Sequence, residues 1–393
     1  MSPPGPEAVV TGCGVVSPLG RGADAFFAAL CAGRSAVGPI VRFPAHDLAP
    51  GTGAEVRDVA VDDADRAGAF AELAAADALA DAGLDVGDTG GAVRAVALGT
   101  TLGGMQLFEA WDAAVAAGAA PPAAVGAVPY WAPATRLARR VGARGPVVTP
   151  QLACASGTAA LGLALGWIRD GRADVVLAGG ADLLCRFVVA GFNALRATAP
   201  SAHPFDRARR GLVLGEGAAL LVVESAAHAR RRGARVRARL LGAGWAGDAV
   251  HMTAPDREGG GAARAMTAAL ADAGLAPRSV GFVSAHGTGT VYNDAMEAAA
   301  IARVFGPRAV PVNSVKGAVG HALGAAGALE AVVCVQAIAH GVVPPTAGLR
   351  ELDPACAVLD VVAGAPRAGA VDVALSTSSG FAGANAAVVL GRA

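Results

Sequence analysis

One stretch decides which fold to expect: Val147-Val148-Thr149-Pro150-Gln151-Leu152-Ala153-Cys154-Ala155-Ser156-Gly157. Its apolar start is strand-like, and the small and apolar residues that follow it, 158–167, predict a buried helix. Cys154 is therefore expected at a strand-to-helix turn, where free N–H groups and the helix dipole favour a thiolate and can hold an oxyanion. The alternative is a buried structural cysteine, the commoner state of a lone cysteine.

Length and composition exclude several classes of protein. The chain has 393 residues, is 54% hydrophobic and carries a formal net charge of zero. These values predict two domains or two similar halves and argue against disorder and against a nucleic-acid partner. The polar, Pro-rich start does not resemble a signal peptide, and no uncharged apolar run is long enough to span a bilayer. The six scattered cysteines argue against a zinc site or a disulfide framework and favour the cytoplasm.

Strand and helix patterns alternate along the chain. Apolar strand patterns near 8–12, 95–100, 146–154 and 173–180 are separated by helical patterns, and the second half repeats this rhythm. Such alternation predicts parallel strand pairing and a layered α/β build. An Arg-rich segment after residue 229 marks the passage between the halves, which we place at residues 1–232 and 233–393.

One glycine-rich motif, Gly242-Ala243-Gly244-Trp245-Ala246-Gly247, matches the dinucleotide-binding fingerprint. Asp248, His251 and Pro255 follow it in place of a helix, and no acidic residue ends a second strand at the right distance. The motif is therefore expected to be a glycine-rich loop rather than a cofactor site.

Lys316 is the single lysine in a chain with 32 basic residues. Arginine serves at every other basic position, so this lysine points to a compact ammonium in a tight buried site, with chance as the alternative. Lys316 ends a predicted strand, His321 begins a predicted helix, and Glu330 is the single acid on that helix. Because a buried charge needs a partner, Lys316 and Glu330 are expected to pair, and the helix dipole is expected to keep His321 neutral.

Two glycine-rich loops carry the other candidate residues. His286 follows a buried strand, and Thr288 and Thr290 beside it offer hydroxyls to a polar ligand. Phe381 lies in the segment Gly380-Phe381-Ala382-Gly383, where backbone N–H groups could approach a ligand. A satisfied loop histidine and an ordinary turn at a sheet end are the structural alternatives.

Cys154, His286, Lys316 and His321 together resemble the β-ketoacyl-[acyl carrier protein] synthase family, in its elongating type II branch. The motifs that carry the resemblance span nearly the whole chain and are VTGCGVVSPLG at 10–20, ACASG at 153–157, HPFD at 203–206, GEG at 215–217, HGTGT at 286–290, Lys316 with GH at 320–321, and GFAG at 380–383. The resemblance implies the thiolase fold, an α/β fold with two pseudo-symmetric βαβαβαββ halves stacked in five αβαβα layers.

The family's assembly and substrates are implied in the same way. A homodimer is expected, in which the strand matching residues 173–180 pairs across the two-fold axis, and a heterodimer with a chain-length partner is the alternative. The substrates would arrive on the phosphopantetheine arm of an acyl carrier protein, near Thr288 and Thr290, so neither a metal nor another cofactor is implied. No membrane partner is expected.

The implied reaction is a decarboxylative condensation in a type II fatty-acid or specialised polyketide pathway. Cys154 would carry an acyl group as a thioester, and His286 and His321 would assist loss of CO₂ from malonyl-carrier protein and stabilise the enolate. Backbone N–H groups of Cys154 and Phe381 would form the oxyanion hole. Lys316, paired with its glutamate, would set the field around the histidines.

The acyl pocket is expected to be short. Phe108 takes the position that sets pocket depth in this family, and Trp131 lies near where a dimer partner lines the pocket. Ala382 replaces the second glycine of the usual Gly-Phe-Gly-Gly gate. Because an aromatic ring at the pocket floor excludes several methylenes, we expect short or rigid unsaturated acyl chains.

Other functions fit parts of this pattern. A ketosynthase-like acyltransferase or cyclase, or a heterodimer subunit, would not itself elongate a chain. A biosynthetic thiolase would need a second catalytic cysteine near Phe381, and a binding protein would have no reason to keep Cys154 modifiable. Arginines that could dock an acidic carrier protein are Arg136, Arg139, Arg140, Arg207, Arg209 and Arg210.

Overall fold

The computed structural model describes residues 5–61, 65–87, 90–123 and 125–393. Its strands are β1 (Ala8–Ser17), β2 (Gly20–Arg21), β3 (Val37–Pro39), β4 (Thr52–Ala54), β5 (Arg94–Gly99), β6 (Val147–Val148), β7 (Val175–Asp182), β8 (Leu214–Gly215), β9 (Gly217–Ser225), β10 (Ala238–Gly247), β11 (Phe282–Ser284), β12 (Pro311–Asn313), β13 (Val342–Val343), β14 (Asp360–Val361), β15 (Arg367–Ala368), β16 (Val373–Gly380) and β17 (Ala384–Gly391). Its α-helices are α1 (Ala23–Cys31), α2 (Arg66–Ala82), α3 (Met105–Ala116), α4 (Ala132–Arg140), α5 (Ser156–Arg169), α6 (Arg186–Ala194), α7 (Ala226–Arg231), α8 (Gly260–Asp272), α9 (Val291–Phe305), α10 (Lys316–Val319) and α11 (Ala326–His340).

The main strands form two sheets of the same topology, joined where β1 pairs with β10. The hydrogen-bonded order is β14-β12-β11-β16-β17-β10-β1-β9-β7-β5-β6. Each half contributes five main strands, which can be numbered in chain order within that half. From the outer edge of the sheet to the β1–β10 pair, both halves have the spatial order third, second, fourth, fifth, first, and the C-terminal sheet carries one extra edge strand, β14. The predicted layered α/β build is confirmed, and the two halves repeat one strand order although their sequences show no residue-level repeat.

Two apolar helices fill the space between the sheets. α5 packs against β5, β7 and β10, and α11 packs against β9, β11 and β16, and the two helices contact each other. α2 covers the outer face of the N-terminal sheet, while α8 covers that of the C-terminal sheet and α9 packs beside it. Among the described residues, one helical stretch, Leu323–His340, is long and apolar enough to cross a membrane, and 89% of it is buried inside the molecule.

The motif Gly242–Gly247 is a strand, so the prediction of a loop there is wrong. It forms the second half of β10 and pairs with β17. A Cβ on Gly242 or Gly244 would lie 2.3 Å from a backbone oxygen of α8. Glycine is therefore needed for the close approach of α8 to the sheet, which explains the spacing without a cofactor.

The strand expected to pair across a dimer axis is also corrected. β7 bonds to β5 along one edge and to β9 along the other, so it has no free edge. Among the described strands, β6 is the one that ends the N-terminal sheet. Val147 and Val148 in it are each 40% exposed, which leaves an apolar sheet edge facing outward.

Candidate active site

The loops that follow the third strand of each half meet at one place. In the N-terminal half, β6 leads through Cys154 into α5; in the C-terminal half, β12 leads through Lys316 and His321 into α11. Each loop contains a non-glycine residue with positive φ, Ala153 at 47° and Leu323 at 50°. Such backbone strain is typical of functional turns.

A cavity of about 340 Å³ opens where these loops meet. It brings together six of the predicted site residues, Cys154, His286, Thr288, Thr290, His321 and Phe381. The sulfur and both imidazoles therefore face one shared space that is open to solvent at its mouth.

The two imidazoles have defined tautomers. Their ring centroids are 5.1 Å apart and the rings are nearly perpendicular, at 82°. The Leu323 N–H donates to Nδ1 of His321 over 3.2 Å, and the Lys316 ammonium donates to Nδ1 of His286 over 3.2 Å. Because each Nδ1 accepts a hydrogen bond, each neutral ring carries its proton on Nε2, which is then free to donate to a ligand.

Both histidines are neutral in the folded protein. Burial lowers the pKa of His286 and of His321 well below 6.5, and the charge of Lys316 lowers each pKa further. A neutral His321 was predicted from a helix dipole; the neutrality is confirmed, but burial and the lysine are its causes. The pair can donate hydrogen bonds without adding positive charge to the site.

The predicted pair of Lys316 and Glu330 is present and fully enclosed. The ammonium contacts one Glu330 oxygen and the carbonyl of His286, and the two side chains are 2% and 0% exposed. Ser378 donates to the other Glu330 oxygen over 3.4 Å and lies 2.8 Å from the hydroxyl of Thr158 on α5. Burial raises the pKa of Glu330 to about 7, although the lysine opposes this. The contacts form a polar chain from α5 to His286.

Cys154 is a thiol rather than a thiolate in the free protein, so the predicted ionisation is wrong. Burial raises its pKa to about 12, the Asp182 carboxylate adds to the rise, and Lys316 opposes it. Helix α5 begins at Ser156, two residues beyond the sulfur, and the Cys154 residue is 6% exposed. Removal of water outweighs the nearby helix N-terminus.

The glycine loop before β17 lies beside the nucleophile. A Cβ on Gly380 would lie 3.1 Å from the backbone nitrogen of Cys154, so this loop and the cysteine turn are in close contact. The Phe381 ring stacks on Phe192 of α6 at 5.5 Å. Ala382 has a φ of 62°, and its N–H donates to the Met252 carbonyl over 2.7 Å. The two segments are therefore in backbone contact beside the nucleophile, and the oxyanion hole formed by the N–H groups of Cys154 and Phe381 stays a prediction.

Two predicted pocket residues are not brought to this cavity by the single chain. Phe108 on α3 is 42% exposed and stacks on Trp111 at 6.2 Å. Trp131 is 63% exposed and lines a separate cleft with Val147 and Thr149 at the β6 edge. Both lie on surfaces that a second subunit could cover.

The candidate docking arginines differ in availability. Arg209 is buried and contacts Asp353, so its proposed role at a docking surface is wrong. Arg136 pairs with Asp65 and Glu72 on neighbouring elements. Arg210 is exposed and lines the mouth of the cavity, which makes it the best placed of the six.

Sequence reasoning missed several residues near the site. Thr158 and Ser378 extend the polar chain, Phe192 holds Phe381, and the fully buried Asp182 joins two loops. An acid that ends an otherwise apolar strand, as Asp182 does, is the signal that could have found it. Within the described ranges, no group of three or more His, Cys, Asp or Glu residues could hold a metal ion.

Comparisons with known proteins agree with this geometry. Residues 6–229 match the family model described as Beta-ketoacyl synthase, N-terminal domain, and residues 237–350 match the one described as Beta-ketoacyl synthase, C-terminal domain. Nodulation protein E of Rhizobium sp. (strain N33) is 43% identical, over 96% of this chain and 97% of that protein. The 3-oxoacyl-[acyl-carrier-protein] synthase 2 of Coxiella burnetii (strain RSA 493 / Nine Mile phase I) is 38% identical, over 98% of each.

Solved structures show the same likeness. The ishigamide ketosynthase/chain length factor is 40% identical, with a TM-score of 0.92 over 99% of this chain and 100% of that one. The complex AntDE:AntF, a type II polyketide acyl-carrier protein with its ketosynthase bound to the hexaketide, is 32% identical, with a TM-score of 0.91 over 99% and 100%. These ketosynthase structures confirm the predicted thiolase fold. The chain therefore belongs to the β-ketoacyl synthase family as a type II member, and it is an acyltransferase that forms carbon–carbon bonds.

Proposed function

We propose that this enzyme condenses an acyl group held on Cys154 with malonyl-acyl carrier protein, and that it elongates short or rigid chains in a type II polyketide or fatty-acid pathway. The observation that carries the proposal is the single cavity in which one thiol faces two neutral Nε2–H donors. A thiol supplies a nucleophile for acyl storage, and two uncharged donors suit an enolate oxygen.

Loading begins from the protonated thiol. The Cys154 sulfur attacks the thioester carbonyl of the acyl-carrier protein, and its proton passes to the departing phosphopantetheine sulfur. The product is a neutral thioester in a buried site. Because burial disfavours the thiolate, the same burial favours the loaded enzyme over a free anion. Thr288 and Thr290, which line the cavity, would contact the pantetheine arm.

Condensation then uses the C-terminal loop. The malonyl carboxylate leaves as CO₂, and its electron pair forms an enolate whose oxygen accepts hydrogen bonds from His286 and His321. The enolate carbon attacks the acyl carbonyl on Cys154, and N–H groups of Cys154 and Phe381 hold the resulting oxyanion. Collapse expels the sulfur, which takes up a proton, and releases the β-ketoacyl-carrier protein.

Lys316 would act through the histidine rather than on the substrate. Its ammonium fixes His286 in the Nε2–H tautomer and, with Glu330, keeps the local charge balanced. The arrangement needs no metal or other cofactor, because the carrier protein's phosphopantetheine presents both substrates.

A second subunit is part of the proposal. The outer edge of β6 presents exposed valines and the neighbouring Trp131, and unpaired sheet edges favour strand addition. The partner is a second copy or a related chain-length subunit, because one solved relative is described as a ketosynthase/chain length factor. Val148→Lys should shift the purified protein towards monomer in light scattering.

Intact-mass spectrometry tests the central claim. The enzyme is offered a panel of acyl-carrier proteins, and a covalent acyl group is expected on Cys154. Addition of malonyl-carrier protein should then discharge it as a β-ketoacyl product with release of CO₂. If the acyl group forms but malonyl-carrier protein never discharges it, elongation is refuted and a non-elongating acyl transfer replaces it. The Cys154→Ala variant should show neither step.

A further inference from the structure

Asp182 is a buried carboxylate that the reaction above does not use. It is the last residue of β7, it is 0% exposed, and each of its two oxygens accepts two hydrogen bonds. Oδ1 accepts from the Thr100 hydroxyl over 2.8 Å and from the Leu102 N–H over 2.9 Å, and Oδ2 accepts from the N–H groups of Thr101 and Gly324, each over 2.7 Å. Four donors converge on one carboxylate, drawn from both halves of the chain.

One side of this arrangement leads to the nucleophile. Asp182 holds the backbone of Thr101, whose hydroxyl donates to the carbonyl of Ala153 over 3.3 Å. Ala153 is the strained residue immediately before Cys154, with a φ of 47°. The carboxylate therefore supports the turn that aims the sulfur.

The other side leads to a histidine. Gly324 follows Leu323, the strained residue whose N–H fixes the tautomer of His321. Glycine is required there, because a Cβ on Gly324 would lie 2.8 Å from the Thr100 Cα and 2.8 Å from Asp182 Oδ2. The carbonyl oxygen of Gly324 also packs against helix α5, which follows Cys154, because a Cβ on Gly157 would lie 2.6 Å from that oxygen.

We propose that Asp182 is a positioning residue that clamps the Cys154 turn of the N-terminal half to the His321 turn of the C-terminal half. It touches neither sulfur nor imidazole, and it acts through Thr101 and Gly324. The inference rests on the proposed condensation, because only that step needs both turns in register at the same moment.

The clamp also acts on the sulfur through its charge. Cys154 is faced by the Lys316 ammonium, the two neutral histidines, and the carboxylates of Asp182 and Glu330. Asp182 raises the pKa of the thiol, so removal of its charge should make alkylation of Cys154 begin at lower pH.

Asp182→Asn is the direct test, because it keeps the shape, removes the charge and replaces one acceptor oxygen by an NH₂ group that would face two of the four donors. Acyl loading of Cys154 and decarboxylation of malonyl-carrier protein are each expected to stay close to wild type. Condensation is expected to fall about a hundredfold, the cost of about 1 Å of misplacement between reacting groups. The pH midpoint for iodoacetamide labelling of Cys154 should also fall.

Two further variants keep the test decisive if Asp182→Asn does not fold. Thr101→Val removes the hydroxyl that supports Ala153 and should reproduce the selective loss of condensation, and Thr101→Ser should restore it. Glu224→Gln changes another fully buried carboxylate, in β9, and should leave the ratio of the three rates unchanged.

The outcomes separate this inference from the proposed function. If wild-type enzyme loads but never condenses, the proposed elongation fails; if wild-type enzyme condenses and Asp182→Asn condenses equally well, the inference on Asp182 fails while the proposed function stands. The inference is overturned if Asp182→Asn condenses within about twofold of wild type, if all three rates fall together, or if the labelling midpoint stays in place. It is also overturned if Thr101→Val and Thr101→Ser behave alike.

Discussion

Lys316→Met should be strongly destabilising because it leaves an acid alone in the core. Glu330 is 0% exposed, and without the ammonium its remaining hydrogen-bond partner among the described residues would be the Ser378 hydroxyl at 3.4 Å. Breaking a buried ion pair by removing one partner costs about 3–5 kcal/mol. Glu330→Met should cost a similar amount, since it leaves the ammonium with only the His286 carbonyl and Nδ1.

The double variant should be less damaging than the sum of its parts. With both charges gone, neither ion is left unpaired, so the interaction energy in a double-mutant cycle should reach about 2–3 kcal/mol. Urea unfolding followed by circular dichroism measures each free energy. Arg21→Met is a matched control, because Arg21 and Asp77 form an exposed pair that should be worth less than about 1 kcal/mol.

The loss in free energy of unfolding caused by Lys316→Met, relative to wild type, should grow as pH rises. The folded-state pKa of Glu330 is about 7, above the ordinary value of 4.5, and loss of the lysine raises it further. An acid with a raised folded pKa favours the folded state at low pH, and this advantage is lost as pH rises through that pKa. The variant should therefore fall further behind wild type above pH 7.

The reasoning on this pair has clear points of failure. Single variants that cost less than about 1 kcal/mol, or a cycle that is additive within about 0.5 kcal/mol, would show that the pair is not buried and coupled as described. A deficit that does not change with pH would show that Glu330 is not the unpaired group. Decarboxylation should also fall by about tenfold or more, because His286 loses the donor that fixes its tautomer.

Three further predictions address the site and its surroundings. Decarboxylation of malonyl-carrier protein should show no inflection near pH 6.5, because His286 and His321 stay neutral there; a rate that halves at pH 6.5 would contradict their lowered pKa values. Arg210→Glu should raise the KM for acyl-carrier protein and weaken its salt dependence, with Arg207→Glu as the control because Arg207 already faces Glu351. Phe108→Ala tests whether the assembled dimer brings Phe108 to the acyl pocket: longer saturated chains on Cys154, measured by intact mass, are the expected result in the dimer, and an unchanged chain-length profile would assign Phe108 to the surface of α3 alone.

The position of each reactive side chain could be predicted from the sequence. Local pattern predicts Cys154 between a strand and a helix and His286 just after a buried strand, and the structure has β6 and α5 around Cys154 and β11 before His286. The pairing of Lys316 with Glu330 followed from a single rule, that buried charges need partners. These features depend on local pattern and on chemistry that the residue types carry with them.

Features that depend on other segments could not be predicted in this way. The ionisation of Cys154 is set by how much water surrounding elements remove, which no local pattern records. The glycines of β10 are spaced for α8, so their motif resembled a cofactor loop. The strand Val175–Asp182 looked like any buried strand, and only the hydrogen-bonded order shows that both of its edges are taken.

The matching strand order of the two halves bears on how such enzymes can evolve. In the proposed mechanism, one half stores the acyl group and the other generates the carbanion, so the two capacities are encoded in separate stretches of the gene. A duplicated copy can lose its sulfur and keep an intact decarboxylating loop, while its twin retains both. Two paired subunits can therefore come to differ in function through substitutions in the N-terminal half of one copy alone, on one side of the β1–β10 pairing.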